Sequence, residues 1–220
     1  MSRPLLITDC DEVLLHMVVP FRDWLDEVHD VHFNLDQHNF IDALRQKACD
    51  TVLEQGRVWE LLNAFFATEM HRQYPITGAF EALQSLSQVA DIAVLTNIAE
   101  VHHDNRITQL AHLGVRHPIF WNQGGKGAPL AKIIADRGPS VTVFIDDLPQ
   151  HHESVTRYAP HTWRLHMVGE PLIAGGIAPA AFAHDRIDNW IAAEAWIRSR
   201  FDEGPAPVPP TGADLPSQSA

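Results

Sequence analysis

Only two cysteines, Cys10 and Cys49, occur in 220 residues. They are too few for a disulfide framework and form no Cys-x-x-Cys pattern, which suits a reducing compartment. Both are expected to be small core residues. Long apolar runs are missing too. None approaches the roughly 20 residues of a bilayer-spanning helix, and the first residues reach Arg3 and Asp9 too soon for a signal peptide. No membrane partner and a cytoplasmic location are therefore expected. Positive charge is scarce, with 16 Lys and Arg against 28 Asp and Glu and a formal charge of -12. Such a field repels polyphosphates, and no basic patch offsets it, so no nucleic-acid partner is expected. A small phosphorylated molecule stays open, because a bound divalent cation can dominate the local field. No internal repeat is present.

What remains is ordinary for a folded chain: 45% hydrophobic residues and a mean hydropathy of -0.12. That is enough for one good core with a small appended subdomain. Leu5-Leu6-Ile7-Thr8 is a short apolar run that ends in the acids Asp9 and Asp11. Similar runs occupy residues 91–96 and 141–146, with weaker ones at 161–167 and 117–121. Helical patterns lie between them, over residues 78–89, 101–113, 129–136 and 152–158, with Gly114 and Gly138 as stops. Strands alternating with helices predict βαβ units and a parallel sheet. Residues 16–75 interrupt the alternation with helical periodicity, over 20–29, 36–53 and 57–71, and predict an inserted helical cap. A closing helix is expected over 185–201. From Gly204 the chain is too rich in proline and glycine to be expected to pack, so residues 204–220 are read as a disordered tail. The core domain is then residues 1–15 and 76–203.

Ligands of open parallel sheets bind beyond the carboxyl ends of the strands. Those ends supply Asp9 and Asp11, then Thr96 and Asn97, then Asp146 and Asp147, with Lys126 in a glycine-rich loop before a helix. A spacing of two puts Asp9 and Asp11 on one side of an extended chain. The set suits phosphoryl transfer. One carboxylate can attack phosphorus, a second can protonate the leaving alcohol, and oxygen ligands suit Mg²⁺. Taken singly, each piece has a plainer reading. Paired acids after a strand are commonly a solvated loop or a helix cap, Lys126 a surface lysine, and Thr96-Asn97 a turn. The Walker pattern fails around Lys126. The pairs His102-His103 and His151-His152 are expected to be solvated or locally hydrogen-bonded, His151 being the exception nearest the site. Tryptophans such as Trp24 and Trp59 are expected to pack. His16, Arg22 and Arg57 are expected to be structural or exposed.

Four motifs in order resemble the haloacid dehalogenase superfamily: Leu6-Ile-Thr-Asp9-Cys-Asp11-Glu-Val13, Val94-Leu-Thr96-Asn97, Gly125-Lys126-Gly-Ala-Pro-Leu130 and Val143-Phe-Ile-Asp146-Asp147. The resemblance covers residues 4–150 and implies a Rossmann-like three-layer α/β/α core with a parallel sheet, capped by the insertion. It also implies Asp9 as nucleophile, Asp11 as general acid/base, and Thr96 and Lys126 as phosphate holders, with Asn97 beside them. Mg²⁺ would be held by Asp9, the main chain of Asp11 and the Asp146/Asp147 pair. Members that cleave carbon–halogen bonds lack the second aspartate and need no Mg²⁺, so Asp11 points to phosphate. One departure is His151, four residues past Asp147, where the family often has Asn or Asp. The function this implies is Mg²⁺-dependent hydrolysis of a small phosphorylated metabolite. Phosphotransfer, as in a sugar phosphomutase, and a non-catalytic phosphate-binding module are the alternatives. Substrate and oligomeric state stay open.

Overall fold

The computed structural model describes residues 2–35 and 42–208. In chain order the elements are β1 (Leu5–Thr8), α1 (Val18–Val28), β2 (Val31–Phe33), β3 (Leu44–Gln46), β4 (Thr51–Val52), α2 (Gln55–Thr68), α3 (Ala79–Leu86) and β5 (Asp91–Asn97). Then follow α4 (His103–His112), β6 (Ile119–Asn122), α5 (Gly127–Arg137), β7 (Thr142–Asp146), α6 (Pro149–Tyr158), β8 (Trp163–His166), α7 (Pro171–Ala174), β9 (Asp185–Arg186) and α8 (Trp190–Glu203).

Six strands form one sheet in the order β6-β5-β1-β7-β8-β9, and every pairing is parallel. The apolar runs explain this. A strand buried on both faces needs apolar side chains at every position, and Leu5, Leu6 and Ile7 are all buried. Leu6, Val94, Val143 and Leu165 point to the face covered by Leu83 and Leu86 of α3 and by Trp190 and Ile197 of α8. Leu5, Ile7, Ala93, Leu95 and Phe144 point to the other, where Leu130 and Ile133 of α5 and Val155 of α6 meet them. Helix, sheet and helix layers result, as expected. The strands expected weakly, β6 and β8, are both present. The expected closing helix begins at Trp190 rather than 185, because residues 185–186 pair with β8 as an edge strand.

The insertion is not all helical. A three-stranded antiparallel sheet, β2-β3-β4, stands where part of the 36–53 helix was expected; residues 36–41 of that span lie outside the described residues. Val31 and Phe33 point inward while His32 is exposed, a period of two over three residues and too short to read as a strand. Asp30 and Asp50 take left-handed backbone, each at φ 54, which aspartate tolerates better than most residues and which marks turns. Phe21, Trp24, Val31, Phe33, Leu44, Val58, Leu61, Phe65 and Phe66 form a separate apolar core, joined by Ile98 from the loop after β5.

Three smaller expectations also change. Cys49 is exposed although Cys10 is buried. Trp59 is largely exposed although Trp24 is buried. The expected tail starts by packing, since the Trp163 indole donates to Gly204 O (2.8 Å) and the Ala206 amide to His161 O (3.0 Å); residues 209–220 lie outside the described residues. Among the described residues no helix is long and apolar enough to cross a membrane.

Candidate active site

The carboxyl ends of β1, β5 and β7, adjacent in the sheet, bring Asp9, Thr96 and Asp146 together. The Asp9 amide donates to Ile145 O at 2.9 Å, so the end of β1 is pinned to β7. Lys126, which precedes α5, is fully buried, and its Nζ lies 2.7 Å from Asp9 Oδ2 and 2.6 Å from Asp146 Oδ2. A buried lysine between two carboxylates is no surface residue. The close approach of α5 to α6 sets its position: the Gly127 amide donates to Ser154 Oγ at 2.9 Å, and a Cβ at Gly127 would collide with the Ser154 carbonyl.

Charge at this point is unbalanced. Asp9, Asp146 and Asp147 each place a carboxylate oxygen within 4.8 Å of the others, and Lys126 is the cation that pairs with two of them, Asp9 and Asp146. Burial, partly offset by Lys126 but reinforced by Asp146 and Asp11, pushes the Asp9 carboxyl up to about 7. Burial and the neighbouring Asp146 and Asp9 hold Asp147 well above the usual carboxylate range. Asp146 goes the other way: burial works against its charge, but Lys126 together with His151 and His152 outweighs it and holds the carboxyl below its ordinary value. Its Oδ1 also accepts from the Leu148 amide at 2.9 Å. Three carboxylates against one ammonium, all of them oxygen donors, fit a hard divalent cation. Asp147 makes no side-chain hydrogen bond among the described residues and is the freer ligand of the fourth motif.

Thr96 Oγ1 is buried with no hydrogen-bond partner among the described residues, an orphan an incoming oxygen could satisfy. Asn97 is already engaged. Its Nδ2 donates to Gly124 O (2.9 Å) and its Oδ1 accepts from Asn122 (2.9 Å), so its side chain pins the glycine-rich loop before Lys126. His151 Nε2 lies 3.3 Å from Asn97 Nδ2. His152 is buried rather than solvated, and its Nε2 lies 3.0 Å from Asp146 O, while His166 Nε2 lies 2.8 Å from Asp147 O. Burial drives the His152 imidazole down to about 4, so it stays neutral and its N–H steadies the end of β7. His103 Nε2 makes a local contact with Ile119 O at 2.9 Å. Arg22 pairs with Asp23, and Arg57 with Glu60.

Asp11 does not continue an extended strand, because the chain turns at Glu12 with φ 57. Both Asp11 oxygens lie 2.9 Å from Arg106 Nη2, and Gln73 Nε2 donates to Oδ1 at 2.6 Å. Arg106 is fully buried and also reaches Cys10 Sγ and Gln73 Oε1. Neither Arg106 on α4 nor Gln73 on the returning cap linker carries a motif in the sequence.

No family model and no curated protein matches the sequence. Solved structures do match in shape. A haloacid dehalogenase-like family hydrolase from Streptococcus pneumoniae superimposes with a TM-score of 0.62 at 10% identity, over 88% of this chain and 97% of that one. The chain has the haloacid dehalogenase-like fold. A HAD family hydrolase from Deinococcus radiodurans with bound phosphate and sodium gives 0.60 at 18% identity, over 89% and 95% of the two chains. The protein YfnB from Bacillus subtilis, bound to magnesium, gives 0.62 at 13% identity, over 90% and 99%. These superpositions cover 88–90% of the chain.

Proposed function

We propose that the protein hydrolyses a small phosphomonoester through a phosphorylated Asp9, with Mg²⁺ as its metal. The observation that carries this reading is the buried Asp9 carboxylate at a strand end, held by Lys126 Nζ at 2.7 Å, with the buried Thr96 hydroxyl of the neighbouring strand without a hydrogen-bond partner among the described residues. An Asp9 oxygen attacks phosphorus as the bond to the leaving oxygen breaks, and Asp11 gives that oxygen its proton. Water then attacks the aspartyl phosphate, passing a proton to Asp11 and releasing inorganic phosphate. Lys126 and Thr96 offer donors to the phosphoryl oxygens, whose charge is greatest in the transition state. Asp9, Asp146 and Asp147 would hold Mg²⁺, which supplies further positive charge to the same oxygens. Gln73 of the cap linker donates to Asp11 Oδ1 at 2.6 Å, which ties the general acid to the cap. The same residues fit a reaction with a phosphate rather than a halide.

Asp9→Asn removes the nucleophile while preserving its shape. Turnover of p-nitrophenyl phosphate with Mg²⁺ is expected to fall at least about a thousandfold. Wild-type-like turnover in that variant would overturn the mechanism, and activity undiminished by chelation would remove the metal from it. The physiological ester is to be found by screening phosphorylated metabolites against the same control.

A further inference from the structure

We propose that Glu12, His16 and Glu170 form a second cation site, for a divalent transition ion of the zinc class, at the root of the cap. The three come from separate segments: the turn after β1, the linker entering the cap, and the residue that caps α7. Each offers one ligand atom, and the three atoms lie within 4.8 Å of one another. All are buried, with 2%, 8% and 4% of their surfaces exposed.

The hydrogen bonds leave room for one more partner. Glu12 Oε1 is consumed by the amides of Met17 (2.8 Å) and Val18 (2.6 Å) at the start of α1. Glu170 Oε1 accepts from the Leu172 amide at 2.9 Å, and Oε2 lies 2.8 Å from His16 Nδ1. Glu12 Oε2 is buried and partnerless among the described residues. Capping α1 therefore accounts for half of this carboxylate and leaves the other half unexplained. Two buried carboxylates also face a single imidazole, and burying such charge without compensation is costly. Packing holds the groups together: the Gly169 amide donates to Glu12 O at 2.7 Å, and a Cβ at Gly169 would sit 2.9 Å from that oxygen. The Tyr74 ring covers His16, with centroids 4.5 Å apart.

One imidazole nitrogen with carboxylate oxygens selects zinc-class ions over Mg²⁺, which prefers oxygen alone. An ion here would tie the entering cap linker, through His16, to the core at Glu170. Neither the nucleophile nor its metal cluster is involved, so the proposal stands apart from the catalytic reading.

The test is anomalous diffraction from crystals of the full chain soaked in Zn²⁺ alone, with zinc stoichiometry by equilibrium dialysis. A peak is expected about 2.0–2.1 Å from His16 Nδ1, with both carboxylates within bonding range and the His16–Glu170 contact opened beyond 2.8 Å. His16→Gln is expected to bind one Zn²⁺ fewer per chain than wild type, and Glu170→Gln likewise. The proposal fails if no peak lies between these residues, or if wild type and His16→Gln bind equal amounts. Should a variant not fold, the wild-type map decides alone.

Discussion

Arg106 shows how one side chain can govern another. Its guanidinium is fully buried, touches both oxygens of Asp11 at 2.9 Å, and lies over the Phe66 ring at 5.5 Å. Arg106→Gln would leave Asp11 with Gln73 as its remaining side-chain donor. Breaking a buried pair costs about 3–5 kcal/mol, so a lower urea midpoint is expected. Among the described residues Arg106 hydrogen-bonds to Asp11, Cys10, Gln73 and Gln109 and to none of the residues read as holding phosphate, so kcat should fall about tenfold or more with KM nearly unchanged. Arg106→Lys should not rescue, because a point charge cannot serve Asp11, Gln73 and also Gln109, whose Oε1 accepts from Arg106 Nη1 at 3.1 Å, as the planar fork does. A KM effect as large as the kcat effect would place Arg106 at the substrate instead. Asp9, Thr96, Lys126 and Asp146 were legible in the sequence because each ends or follows an apolar run, and strand ends converge in a parallel sheet. Arg106 was not. It lies 95 residues from Asp11, and which face of α4 turns inward is settled by packing that no spacing encodes.

At the scale of elements, the centre of the cap is an aromatic cluster. Phe65 on α2 is fully buried and meets Phe21 edge-on at 5.4 Å and Trp24 at 5.7 Å, both on α1. Those two helices were legible from their apolar faces. The sheet between them was not, since β4 has two residues, both exposed, and its pairing comes from neighbours distant in the helical pattern. Phe65→Ala should cost about 3–5 kcal/mol locally. Hydrogen exchange is the appropriate measurement: amides of α1 and α2 should exchange faster while those of β1, β5 and β7 stay protected. Equal acceleration in both sets would show that cap and core open as one unit.

For the whole molecule, the formal charge of -12 matters less than where carboxylates are buried. Asp9 and Glu12 are both pushed up to about 7, from 3.8 and 4.5. A carboxyl raised in this way contributes its stability in full below the ordinary values of 3.8 and 4.5 and loses it progressively as pH rises from there to about 7. His152 and His184 act oppositely. Burial lowers both from 6.5 to about 4, so their contribution is present above 6.5 and lost as pH falls through 4. Between about 4.5 and 6.5 the two pairs oppose and nearly cancel, and from 6.5 to 7 the carboxyls act alone, so these four groups should leave the melting temperature of the metal-free protein nearly flat and then lower it on the alkaline side. Mg²⁺ needs ionised ligands, so it relieves only the alkaline side. At a hundred times its Kd it should add about 2.7 kcal/mol, roughly 5–10 °C for a chain of this size. That gain should be larger at pH 8 than at pH 6, because at pH 6 the cation must first displace the proton from Asp9. Melting curves with Mg²⁺ and with chelator at the two pH values measure it directly. Equal shifts at both would mean that Asp9 is already ionised at pH 6, and that Lys126 alone suffices to hold its charge.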